Sequence, residues 1–179
     1  MKIREKGAYV LWICMAGFLV GIIYSNLIAK DEIVDMGIFQ EYFLTRFTQT
    51  DFLSAEFFLF VAKVRFLPAV LLAFLGITRF RKAAAVGMLV WTGFGFGLIM
   101  AAAVIKMGVK GLALCLAAFT PHLFFYGAGY LILLWHLLKY PQIRWNYAKT
   151  AAVVLFFLCG LLLECYVNPL LLELFLRSL

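Results

Sequence analysis

The feature that leaves this chain fewest options is a succession of apolar runs, at about 8–28, 57–78, 83–105, 111–138 and 149–167. Each approaches or exceeds the roughly 20 residues a helix needs to cross about 30 Å of hydrocarbon. Of the 179 residues, 66% are hydrophobic and 14% charged, against about 25% charged in an ordinary soluble domain. A soluble core of this size has no room for so much apolar surface, so lipid has to cover it. Inside a bilayer the backbone must satisfy its own hydrogen bonds, which leaves helices or a closed barrel. The runs lack the period-two alternation of barrel strands. The sequence therefore predicts an all-α, polytopic membrane helical bundle of about five transmembrane helices, one integral membrane domain over residues 1–179, with the lipid bilayer as its surroundings.

Orientation follows from the basic residues, because Lys and Arg in short loops resist translocation. The N-terminal segment carries Lys2, Arg4 and Lys6, and the first run reads as an uncleaved helix, since a signal-peptide core is shorter and ends at a small-residue cleavage site. With that end in the cytoplasm, the same side also holds Arg79, Arg81, Lys82, Lys139, Arg144 and Lys149, nine basic residues against the single acid Glu5. The opposite side receives Asp31, Glu32, Asp35, Glu41, Asp51 and Glu56 against Lys30 and Arg46, and a short turn with Lys106 and Lys110. Five spans leave the C-terminus outside. Within the outer stretch, about residues 35–55, Phe39, Tyr42, Phe43 and Phe47 recur at spacings of three and four and give one apolar helical face. That amphipathic helix lies on the membrane, caps the bundle or binds a partner. The tail from Pro169 is too short to span again and reads as interfacial.

The net charge of +7 does not point to nucleic acid, because the cations are dispersed between apolar runs, where they set topology and attract anionic lipid. Cys14, Cys115, Cys159 and Cys165 sit in apolar segments without metal-ligand spacing and read as small hydrophobes. No catalytic constellation is visible. The aspartates Asp31, Asp35 and Asp51 all lie in the outer stretch, and Ser25, Ser54 and Ser178 have no histidine beside them in a span. No cofactor and no metal are expected. His122 and His136 are about 21 Å apart along one helix, too far to share an ion.

Three groupings remain. Gly17 and Gly21 in the first span, and Gly93 and Gly97 in the third, are spaced four apart and allow close helix packing. Pro121 should kink the fourth span near mid-membrane, and His122 should turn inward, most simply as a structural histidine bonded to a carbonyl that the proline frees. Glu164 lies near the outer end of the fifth span, and Lys63 and Arg65 lie in the outer half of the second. Charges there need pairing, so Glu164 is expected to pair with Arg65 or Lys63, and the planar fork of Arg65 suits a carboxylate better.

The stretch Gly93-Phe-Gly-Phe-Gly97, continuing through Gly108 and Gly111 to Thr120-Pro121-His122, and then Gly160, Glu164 and Pro169, resembles the stage II sporulation protein M family. The resemblance implies a non-catalytic membrane scaffold or anchor in a sporulation engulfment complex of the bacterial cell membrane, with peptidoglycan hydrolases as extracytoplasmic partners. Among those partners it implies a lytic transglycosylase and an amidase/endopeptidase. An alternative reading is a small transporter or permease-like subunit, with a pathway near His122, Arg65 and Glu164. A continuous polar cavity joining those residues would favour transport, and a packed apolar interior would favour the scaffold.

Overall fold

The computed structural model describes residues 2–28, 30 and 55–178. The amphipathic outer segment, with Phe39, Tyr42, Phe43 and Phe47, lies outside them. All regular secondary structure among the described residues is helical: α1 (Lys2–Leu27), α2 (Ala55–Ile77), α3 (Arg81–Met107), α4 (Val109–Phe119), α5 (His122–Lys139), α6 (Tyr147–Leu162), a π-helical turn (Leu163–Val167) and α7 (Asn168–Ser178). Four stretches are long and apolar enough to cross a membrane: Tyr9–Leu27, α2, α3 and Tyr147–Leu172. A fifth is available if α4 and α5, bent by 62°, form one span. Trp12, Phe60, Trp91 and Phe124 are between 65% and 72% exposed, which is tolerable only where lipid covers them. The chain is a multi-pass membrane protein.

The chain packs as two units, residues 1–49 with 86–115, and residues 50–85 with 116–179. In the first, α1 lies against the part of α3 from Val86 onward, and four glycines make the seam. A Cβ added at Gly17 would fall 2.4 Å from the Val90 carbonyl oxygen, and one at Gly21 would fall 2.3 Å from that of Phe94. From the other side, Gly93 and Gly97 would each bring a Cβ to 2.2 Å from the carbonyl oxygens of Cys14 and Phe18. The backbones touch because no side chain stands between them. Gly95 has nothing within 4 Å, so its face is turned away. Polar side chains here bond to their own helix: Ser25 Oγ donates to the Gly21 carbonyl at 2.9 Å and Thr92 Oγ1 to that of Met88 at 2.9 Å. Gly108 ends α3 with φ of +60°, a left-handed conformation that a β-carbon penalises, and its N–H closes on Val104 at 2.9 Å.

In the second unit, α2, α5 and α6 form the core. Pro68 sits inside α2 without ending it. The end of α5 is set by Pro141, which holds Tyr140 in extended conformation (φ −66°, ψ 139°). Asn146 restarts the chain as α6, its side chain accepting from the Lys149 N–H at 3.1 Å.

Two expectations need correction. The fourth run is not a single kinked helix: α4 stops at Phe119 and α5 begins at His122, because Pro121 has no N–H to continue the ladder. The fifth run does not stop at Val167. The π turn carries it into α7 without a break, and the apolar span reaches Leu172, so Pro169 lies in the first turn of a continuing helix rather than opening a separate tail. The wider turn explains why. Asn168 donates to the Leu163 carbonyl, five residues back, and Pro169 follows at the change of register.

Candidate functional site

The second unit holds an ion pair among aromatic rings. Arg65 lies on α2 and Glu164 opens the π turn after α6. The Arg65 Nε donates to Glu164 Oε1 at 3.1 Å and to Oε2 at 2.9 Å, and a terminal guanidinium nitrogen also donates to Oε1. Charge-assisted, forked contacts of this kind are the strongest side-chain hydrogen bonds. Lys63, the other candidate, is exposed and takes no part.

The pair is bedded on α5, where His122, Tyr126 and Tyr130 follow at four-residue intervals and form one stripe. The Arg65 Cζ stands 5.3 Å from the Tyr126 ring centroid, and the Tyr130 hydroxyl donates to the Arg65 carbonyl at 3.3 Å. That carbonyl lies one residue beyond Val64, whose usual helical donor is missing at Pro68. The Tyr126 hydroxyl faces the Glu164 carboxylate without meeting hydrogen-bond geometry. Phe157 of α6 closes the floor, with Tyr126, Tyr130 and Phe66 around it at ring-centroid distances of 5.5, 5.1 and 5.3 Å.

Glycines make the room. A Cβ at Gly160 would come within 2.9 Å of the Tyr126 ring, and one at Gly129 within 2.7 Å of the Phe157 ring. Each helix thus gives up a side chain where the other inserts an aromatic. Gly127, by contrast, has nothing within 4 Å. Val61, Leu161 and Cys165 are buried behind the pair, with Phe57, Phe58, Ala62 and Phe66 packed against them.

His122 is 4% exposed, facing inward, with its ring edge-on to Tyr126 at 5.9 Å. Its Nδ1, however, has no hydrogen-bond partner among the described residues. At Nδ1 the expected bond to a carbonyl freed by Pro121 is absent, and the ring packs edge-on to Tyr126. The structure thus gathers His122, Arg65 and Glu164 into one region, leaves Lys63 outside it, and puts Pro169 at the start of the next helix. Tyr126, Tyr130 and Phe157 are the members that inspection of charged residues missed; the 122, 126, 130 spacing was the signal.

A cavity of about 610 Å³ lies elsewhere in the unit, between α2, α5 and α6, and Arg65, His122 and Glu164 do not line it. The four cysteines are free thiols. Comparisons with protein-family models, with curated proteins and with solved structures give no match.

Proposed function

We propose that the chain is a non-catalytic scaffold of the bacterial cell membrane that holds peptidoglycan-remodelling enzymes in place, the role implied by its resemblance to the stage II sporulation protein M family. The observation that carries this reading is the Arg65–Glu164 pair. Each charge is neutralised by its neighbour, and Tyr126, Tyr130 and Phe157 pack around them. An immobilised pair of this kind fixes three helices against one another, which is what an anchor needs and a transit site does not. The N-terminus is cytoplasmic on this reading, and partners meet the chain from outside.

Co-expression with a lytic transglycosylase and an amidase/endopeptidase, followed by purification in mild detergent, tests the proposal. The hydrolases should be retained with the chain, and replacing Phe39 and Phe43 by Ala should weaken that retention while the amount of folded chain stays the same. A purified chain that cleaves peptidoglycan unaided would overturn it. The second reading, a transporter, rests on the unpartnered His122 Nδ1 beside the pair. Ion or solute flux in proteoliposomes, lost on His122→Ala, would establish that reading instead.

A further inference from the structure

We infer that the cavity between α2, α5 and α6 binds an anionic amphiphile, one long alkyl chain in its shaft and a phosphate or carboxylate head at its mouth. Its shaft is apolar. Along α2 it runs from Phe66 to Ile77, twelve residues spanning about 16 Å of helix. Space is made by the small residues Ala69, Ala73 and Gly76, with Leu133, Leu137 and Phe157 on the facing helices. The volume, about 610 Å³, falls within the roughly 300–1,000 Å³ of small-molecule sites, which are mostly apolar with a few polar groups fixing orientation.

Those polar groups gather at one end. Arg81 stands over the Tyr140 ring, its Cζ 4.3 Å from the centroid. This contact places the guanidinium, a group with five N–H donors, at the mouth. His136 is set between the rings of Tyr140 and Trp145, at 5.8 and 5.0 Å. Its Nδ1 is buried without a hydrogen-bond partner among the described residues, although the Ile143 backbone lies near the ring. The Trp145 Nε1 donates to Thr150 Oγ1 at 2.7 Å, giving the amphipathic rim that Trp and Tyr provide at a membrane interface.

Charge selects the head group. Arg81 lines this mouth. The adjoining segments carry Arg79, Lys82, Lys139, Arg144 and Lys149, of which Lys139 lies over the Trp135 ring and Lys149 Nζ donates to the Arg144 carbonyl. Between Glu56 and Glu164 the sequence has no Asp or Glu at all. The chain offers these cations no carboxylate of its own along that stretch, and an anionic head supplies the missing negative charge. A membrane phospholipid and a free fatty acid share this chemistry.

Titration of the purified full-length protein with dioleoylphosphatidylglycerol, dioleoylphosphatidylcholine or oleate, read by native mass spectrometry, tests the site. One phosphatidylglycerol should bind per chain, about fivefold more tightly than phosphatidylcholine, the factor that one basic residue contributes near an anionic surface. Arg81→Gln should lower phosphatidylglycerol to the phosphatidylcholine level and leave phosphatidylcholine unchanged. Ala73→Phe, or Val153→Phe from the opposite wall, should remove both by filling the shaft. Tight binding of oleate without phosphatidylglycerol would support the site and assign it to a free fatty acid. Measurable binding of the two phospholipids with equal affinity by the unaltered chain, binding of none of the three lipids, or binding undiminished in folded Ala73→Phe or Val153→Phe, would overturn the inference.

Discussion

At Arg65 a planar cation meets both oxygens of the Glu164 carboxylate, and the geometry explains why the chain tolerates charge at this depth. Either ion alone would be left without compensation among rings and aliphatic side chains, and breaking such a pair costs more than the pair is worth. Replacing Glu164 by Arg or Arg65 by Glu should each cost about 3 kcal/mol, the low end for buried pairs, because the Arg65 side chain is 40% exposed. The double reversal should recover much of that loss, measured as folded protein recovered from the membrane. A double variant no better than the worse single one would show that the pair does not act as a unit. Arg65→Lys should fall between, since a point charge cannot fork. The partnership was legible in the sequence because the number of ionisable groups within the spans is small and helix rise fixes their depth. The choice of Arg65 over Lys63 was legible from side-chain shape. The bed of Tyr126, Tyr130 and Phe157 was less so, because aromatic residues abound here, 17% of the chain, and only the four-residue rhythm from His122 separates these from lipid-facing ones.

Between elements, glycine decides how near two backbones come. The α1–α3 seam depends on Gly17, Gly21, Gly93 and Gly97, whereas Gly95, on the same helix, borders open space. Gly93→Ala should force the helices apart and cost about 2 kcal/mol, within the range for overpacking a close-packed interface. Gly95→Ala should be neutral or slightly stabilising, since alanine has the higher helix propensity. Thermal unfolding in detergent, followed by helical circular dichroism, distinguishes them; equal effects at the two sites would mean that the seam is not close-packed in solution. Four-residue spacing made the face of each helix readable, but not its mate, because the same spacing fits a helix of another chain. The π turn before Pro169 had no sequence signal: a proline reads as a stop, and only the widened register lets the helix run through it. The cavity was equally hidden. It exists where Ala69, Ala73 and Gly76 of one helix are small opposite two others, and no single segment encodes that coincidence.

For the whole molecule, the course of the chain turns on whether α4 and α5 cross the bilayer together or enter and return on one side. An N-terminus inside and five crossings put the C-terminus outside, whereas a returning pair would put it inside. α3 is 27 residues long, about 40 Å of helix, so it carries the chain from the side of Arg81 to the side of Gly108. If α4 and α5 returned to the side of Gly108, the loop after α5 would lie opposite Arg81. Yet Arg81 stacks on Tyr140, at the end of α5. This contact favours one broken span, and the prediction is that the basic loops at 79–82 and 139–149 share a side, the arrangement that retention of Lys and Arg on the cytoplasmic face would produce. Single cysteines in a chain whose Cys14, Cys115, Cys159 and Cys165 are replaced by serine or alanine provide the check. Cysteines at Lys82 and Gln142 should resist an impermeant thiol reagent applied to intact cells, and cysteines at Thr48 and Val109 should react. Both Lys82 and Gln142 are exposed, and Val109 is 84% exposed, so protection at the first two reflects the side of the membrane rather than burial. Labelling at Gln142 with protection at Lys82 would mean that α4 and α5 return, and labelling at both with protection at Thr48 and Val109 would invert the whole topology.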